Sequence, residues 1–266
     1  MSSATAPAKL NLALIVGPRR PDGKHEVATV LQRLALADTI ELEAADELAV
    51  EGFPDDTLVR GALEALAGRA GVRTRWHADI TKEIPVAAGL GGGSSDAATA
   101  LRLANATLER PLPPDDLAEL AGTLGVDVPF FLADGPQLGT ADGSTLESLE
   151  LPQEYAVLLV LPDSERKPST QVVYEDFDRR GGSRGFAERR ARLTAALSPP
   201  DLVALPPNDL ASSPLADELR ARGAFRADVS GAGPVVYGLF ADGVAAEAAQ
   251  DELRSHGRTW ITTPEW

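Results

Sequence analysis

Residues 83–102 read Glu-Ile-Pro-Val-Ala-Ala-Gly-Leu-Gly-Gly-Gly-Ser-Ser-Asp-Ala-Ala-Thr-Ala-Leu-Arg, a glycine–serine loop running directly into an alanine-rich segment. Gly89, Gly91, Gly92 and Gly93 have no Cβ, so the backbone there can turn sharply and approach a ligand closely. Ser94, Ser95 and Asp96 are expected to cap a helix that Ala97 begins. A helix start offers unpaired N–H groups and about half a positive charge, which together suit an anion. A glycine turn before a capped helix is the plainer reading, but four glycines and two serines within residues 89–95 favour a phosphate cradle. No lysine follows the glycines, as the P-loop requires, and their spacing is not that of the dinucleotide fingerprint. The loop points to phosphate without naming the nucleotide.

Three further segments carry groups able to act on such a ligand. Pro7-Ala8-Lys9-Leu10-Asn11-Leu12 places an ammonium and an amide two residues apart, hence on one face of an extended chain. Leu124-Gly125-Val126-Asp127-Val128-Pro129-Phe130 sets a carboxylate among apolar neighbours, where ionisation is costly unless a cation or strong donors compensate. Alone, Asp127 reads equally as a turn residue; paired with Lys9 it becomes a candidate to orient a hydroxyl and take its proton. Asp228-Val229-Ser230-Gly231-Ala232-Gly233-Pro234, between apolar runs, is either a hairpin turn or a second glycine loop facing the first.

Such groups need a scaffold, and the hydrophobic pattern supplies one. Residues 10–16 and 27–36 are apolar and strand-like, and residues 39–44 alternate with period two. Residues 57–70 have helical spacing, and residues 73–80 alternate with Trp76, Ala78 and Ile80 on one face. A short helix is expected over 115–124, and a buried strand over 155–161. Residues 225–230 and 235–240 flank the second glycine turn, with a helix at 244–255 and a last strand at 259–263. A boundary near residue 150 gives domains 1–150 and 151–266, two α+β lobes with a ligand cleft between them.

Composition narrows the class. A chain of 266 residues, 44% hydrophobic and 24% charged, can bury a core in either lobe. There is no apolar run of membrane-spanning length and no secretory signal at Met1-Ser2-Ser3, so no membrane partner is expected. The absence of cysteine removes disulfides, thiolate metal sites and a thiol nucleophile, and fits a cytoplasmic location. A net charge of −15 argues against nucleic acid. It also means that an anionic substrate needs a local cationic patch. Of 25 lysines and arginines only Lys9, Lys24, Lys82 and Lys167 are lysines, and three of these fall in or beside the segments singled out here.

In this order along the chain, Pro-x-Lys-x-Asn, Gly-Leu-Gly-Gly-Gly-Ser-Ser and Ser-Gly-x-Gly-Pro resemble the GHMP kinases, small-molecule kinases named after galactose, homoserine, mevalonate and phosphomevalonate. The segments Arg20-Pro21-Asp22-Gly23-Lys24-His25-Glu26 and 124–130 are similar to the member acting on a cytidine-diphosphate-linked methylerythritol in non-mevalonate isoprenoid synthesis. The resemblance implies an α+β, two-lobed GHMP kinase fold, with an N-terminal ATP-binding lobe and a C-terminal ferredoxin-like substrate lobe. It implies transfer of phosphate from ATP, with Mg2+, to the 2-hydroxyl of that acceptor, in a monomer or weak homodimer. A different small alcohol, or a non-catalytic ligand-binding relative, is the alternative. By position, Asp127 and Lys9 match the catalytic pair. Asn11 falls where the family contacts substrate, His25 where it reads the cytosine edge, and Tyr174 where an aromatic stacks on the base. Gly89, Leu90, Gly91, Gly92, Gly93, Ser94 and Ser95 match the ATP phosphate loop, with Ser95 a candidate to hold the metal. Thr57, Leu58, Lys82 and Pro85 fall near the nucleotide. Lys24 stands where the family usually has a tyrosine against the pyrimidine, and is expected to meet the substrate diphosphate or the base instead. Ala232 replaces a common serine or threonine.

Overall fold

The computed structural model describes residues 1–53, 57–163 and 169–266, so Lys167 lies outside the described residues. The chain divides into two compact units. One comprises residues 1–8, 36–86 and 91–134; the other comprises 9–35, 87–90 and 135–266. Two long paired strands, β1 (Ser2–Arg19) and β2 (His25–Ala45), contribute to both.

In the first unit, the end of β2 pairs antiparallel with β4 (Arg75–Thr81), in the register Ile40↔Ile80 and Leu42↔Ala78. The short β3 (Ala49–Glu51) adds in parallel on the far side of β4. Alternation decides the faces: Trp76, Ala78 and Ile80 are buried, as are Ile40 and Leu42 opposite them. Trp76 donates its indole N–H to Thr107 Oγ1 at 3.0 Å, so its one polar atom is satisfied. Helix α1 (Leu58–Ala70) packs on α2 (Gly92–Ala106) and α3 (Pro114–Leu124). Gly71 ends α1 in the left-handed region, where glycine carries no Cβ penalty. Pro114 and the carboxylates Asp115 and Asp116 open α3, and both features suit a helix start. A 3₁₀ turn, Pro129–Leu132, buries Phe130 and Phe131 against α2.

In the second unit, the start of β2 pairs with β5 (Gln137–Thr140), which forms a hairpin with β6 (Thr145–Ser148). A separate antiparallel sheet contains β7 (Ala156–Pro162), β8 (Arg226–Val229), β9 (Val236–Phe240) and β10 (Gly257–Thr262), in the order β10-β7-β9-β8. That order is the ferredoxin-like arrangement expected of the C-terminal lobe. Helices α4 (Thr170–Arg179), α5 (Phe186–Ala196) and α6 (Pro214–Ala221) lie between β7 and β8 in sequence. Helix α7 (Gly243–Leu253) follows β9, capped by Asp242, whose carboxylate accepts from Ala245 N at 2.9 Å. Leu158, Val160, Leu219, Val236, Phe240 and Leu253 form the core of this sheet and its helices. The two-residue β11 (Pro264–Glu265) returns to pair with β2 at Leu34 and Arg33.

Two expectations change. The apolar run 27–36 and the alternating run 39–44 are one continuous strand, because Ala37 and Asp38 contain no breaker and Asp38 is itself buried. The central helix begins at Gly92, not Ala97, so Ser94, Ser95 and Asp96 lie inside its first turns and do not cap it. Among the described residues, no helix is long and apolar enough to cross a membrane.

Candidate active site

The glycine loop delivers a helix start with the geometry an anion needs. Gly91 takes φ 72° at the N-cap of α2 with no side-chain cap, and Ser95 N already bonds Gly91 O at 2.9 Å. The N–H groups of Gly92, Gly93 and Ser94 therefore have no carbonyl in the preceding turn. A Cβ on Gly93 would meet nothing within 4 Å, so the approach there is open. A Cβ on Gly92 would press at 3.2–3.4 Å on Ile84, on Lys82 Nζ and on Asp38 Oδ2. The Lys82 ammonium is thus packed directly against the helix start.

Lys82 is held by two carboxylates, Asp38 Oδ2 at 2.5 Å and Asp96 Oδ2 at 2.6 Å. Asp38 also accepts from Glu83 N at 2.6 Å and Ile84 N at 2.8 Å, which pins the segment leading to the loop. Burial lowers the Lys82 pKa, but these hydrogen bonds outweigh it and the ammonium stays charged. Burial pushes the Asp96 carboxyl up to about 7 against the pull of Lys82. The sequence reading placed Lys82 near the nucleotide but missed Asp38 and Asp96 as its partners. A lone aspartate inside a strand-forming run was the available signal.

The other residues expected in this unit are dispersed among its elements. Thr57 precedes α1 and is exposed, Leu58 opens that helix, and Pro85 is buried in the approach to the loop. Asp127 sits half-buried in the turn before the 3₁₀ segment, between exposed Val126 and fully buried Val128. Its burial is less than its apolar neighbours suggest, because Val126 turns outward.

In the second unit, Lys9 and Asn11 do share a face of β1. Lys9 Nζ donates to Asn11 Oδ1 at 2.5 Å, Asn11 Nδ2 donates to Thr29 Oγ1 at 2.7 Å, and Thr29 donates to Ala13 O at 2.8 Å. This relay fixes which end of the amide faces the ammonium. The second glycine loop closes over the pair: a Cβ on Gly231 would stand 3.2 Å from Asn11 Oδ1 and 3.8 Å from Lys9 Nζ. Asn208 holds that loop by donating to Val229 O at 2.9 Å and Gly231 O at 2.6 Å. Leu90 O accepts from Lys9 N at 2.8 Å, and Ser230 Oγ donates to Gly89 O at 2.9 Å. Gly89 and Leu90 are thereby tied to both segments.

His25 and Tyr174 also come together, with ring centroids 4.9 Å apart and planes inclined by 28°. Phe177 meets the imidazole edge-on at 6.0 Å. His25 Nε2 bonds Asp178 Oδ1 at 2.7 Å, and Arg19 grips Asp178 Oδ2. Asp178 escaped the sequence reading, although it lies four residues after Tyr174 and so on the same helix face. Exposed Lys24 makes an ion pair with Asp142 at 2.5 Å, which raises the lysine pKa and holds the Asp142 carboxyl near 2.

Three buried side-chain atoms of the first unit lack hydrogen-bond partners among the described residues: His77 Nε2, Ser95 Oγ and Asp96 Oδ1. No cluster of three or more histidine, aspartate or glutamate side chains there or elsewhere in the described residues suits a metal. The Ser95 hydroxyl, fully buried in the first turns of α2, is thus an oxygen donor left unspent.

Residues 57–135 match the GHMP kinases N terminal domain, and residues 209–259 match the GHMP kinases C terminal domain. The chain is 39% identical to a 4-diphosphocytidyl-2-C-methyl-D-erythritol kinase of Pelobacter propionicus, over 96% of this chain and 95% of that one. It is 38% identical to a kinase of the same name from Streptomyces coelicolor, over 94% and 91%. The crystal structure of a 4-(cytidine 5'-diphospho)-2C-methyl-D-erythritol kinase superposes with a TM-score of 0.83 at 30% identity, covering all of both chains. A mevalonate kinase superposes at 0.78 with 15% identity, covering 100% of this chain and 99% of that one, a likeness of fold alone. The chain belongs to the GHMP kinase family, and is a two-lobed α+β small-molecule kinase that uses ATP.

Proposed function

We propose that the chain transfers the γ-phosphoryl group of ATP to the 2-hydroxyl of 4-diphosphocytidyl-2-C-methyl-D-erythritol. The observation that carries this reading is the stacked, carboxylate-bonded His25–Tyr174 pair in the same unit as the Lys9–Asn11 pair. The first suits a flat base with a hydrogen-bonding edge, and the second suits an anionic, hydroxyl-bearing chain. Tyr174 and Ala232 of the second glycine loop pack on one apolar cluster, which links the two sets of groups. The near full-length identity to kinases of that name supports the choice of acceptor.

In this reading the N–H groups of Gly92, Gly93 and Ser94 receive phosphate oxygens. Lys82, held by Asp38 and Asp96, keeps positive charge at the helix start. Magnesium, when bound, neutralises phosphate charge, and Ser95 Oγ is the residue offered to it. Asp127 orients the acceptor hydroxyl and takes its proton, while Lys9 offsets charge on the transferring group. Phosphoryl transfer asks mainly for positioning and charge stabilisation, and these residues supply both.

The test is transfer of labelled phosphate from ATP to this acceptor, with the position of the new ester found by NMR. A phosphate at the 2-hydroxyl is the expected result. Turnover only with an alcohol lacking the cytidine diphosphate would overturn the reading. Lys24 in place of the family tyrosine is what favours that second reading.

A further inference from the structure

His25 is a buried side chain whose only hydrogen bond among the described residues is to a carboxylate. A carboxylate accepts and does not donate, so the proton of a neutral imidazole must sit on Nε2. That leaves Nδ1 with its lone pair, an acceptor. The Asp178 carboxyl is held below its usual range, first by the hydrogen bond from His25, with Arg19 adding to it against slight burial. Its other oxygen, Oδ2, is occupied by Arg19, with Nε at 2.8 Å and Nη2 at 2.7 Å. The two oxygens are therefore not interchangeable: one faces a cation, the other faces the histidine.

Ring contacts fix the rest of the geometry. Tyr174 stacks beside the imidazole and Phe177 meets it edge-on, both from the helix that carries Asp178. A single turn of α4 thus sets the ring's plane, its orientation and its tautomer.

We infer that Asp178 is a positioning residue that makes the site selective for cytosine over uracil, by fixing His25 as the tautomer with an acceptor at Nδ1. Cytosine presents its exocyclic amine as a donor, whereas uracil presents a carbonyl acceptor at the same place. An acceptor at Nδ1 pairs with the first and faces the second lone pair to lone pair. The inference rests on the proposed reading in which His25 meets the base. It adds the residue that decides which base is accepted.

The decisive variant is Asp178→Asn. Arg19 donates twice to Oδ2, so the amide oxygen must take that place, which turns the amide NH2 toward His25 Nε2. A donor there moves the imidazole proton to Nδ1, the inversion known when a histidine-orienting aspartate becomes asparagine. Wild type and variant are compared with the cytidine acceptor and its uridine counterpart, by steady-state kinetics and by 15N NMR of the imidazole. The expected outcome is a loss of cytosine preference in kcat/KM of about 10- to 100-fold. It should lie chiefly in KM, with the proton shifted to Nδ1 in the spectrum. An unchanged preference together with an unchanged tautomer overturns the inference while leaving the kinase reading intact. A wild type that does not distinguish the two bases overturns base reading by His25 itself, a separate failure visible without any variant. Should Asp178→Asn not fold, Asp178→Ala replaces it. Cytosine preference is then lost with both tautomers populated, and its retention overturns the inference.

Discussion

Gly89 lies so close to Ser230 that a Cβ on the glycine would stand 2.4 Å from the serine carbonyl oxygen. Gly89 also has φ 86°, and its own carbonyl accepts from Ser230 Oγ at 2.9 Å. Two glycine loops distant in sequence are therefore locked together where no side chain fits. Gly89→Ala is expected to cost about 1–2 kcal/mol for the left-handed backbone alone. The displaced Ser230 carbonyl adds to that. Urea denaturation should show the loss, and turnover at saturating substrate should fall with it, because the loop over Lys9 and Asn11 shifts.

Asp127→Asn preserves shape and removes the carboxylate proposed as the base. Turnover is expected to fall about 10²- to 10⁴-fold, the range for loss of a positioned general base. ATP affinity, measured by titration calorimetry, should stay within about twofold. Unchanged turnover would remove Asp127 from the chemistry.

Thr29 holds the amide to which Lys9 donates. Thr29→Val strands the buried Asn11 Nδ2 donor, at a cost of about 1–3 kcal/mol in stability. With the amide no longer oriented, kcat/KM should drop about tenfold. Thr29→Ser, which keeps the hydroxyl, should restore most of both; equal damage in the two variants would refute the relay.

Asp96 carries a pH signature. Burial pushes its carboxyl from the ordinary 3.8 up to about 7 in the folded chain. Between these values the folded state binds the extra proton, so this group's contribution to stability is present below about 4 and is lost as pH rises through about 7. Asp96→Asn mimics the protonated form and should remove that slope. Melting temperatures of the two proteins at pH 5 and pH 8 supply the check. The wild type should lose more than the variant on going to the higher pH.

Lys24 is exposed and pairs with the nearly buried Asp142 carboxylate. Lys24→Tyr leaves that carboxylate to Ser144 alone, so a modest fall in melting temperature is expected. A ring at this position adds a stacking face, and the KM for the cytidine acceptor is expected to fall about 5- to 100-fold. An unchanged KM would mean that the position does not face the base.

Much of this protein could be read from local pattern. Alternation at 39–44 and 73–80 set the faces of β2 and β4, because a strand with one buried face repeats every two residues. The Lys9–Asn11 pairing followed from the same period. The glycine loop announced a helix start, but not its first residue: glycines are poor helix formers, and only packing of Gly92 against Lys82 and Asp38 explains why the helix begins there. Contacts between remote segments were beyond local pattern. Asp38 and Asp96 around Lys82, Asp178 beneath His25, and Ser230 against Gly89 join residues 14 to 153 positions apart. Their chemistry is written in residue type, but the pairing depends on how strands and helices pack. Sequence by itself determined which groups are available and which face of each element they occupy; the tertiary structure alone decided which charges meet, and hence which protons stay on.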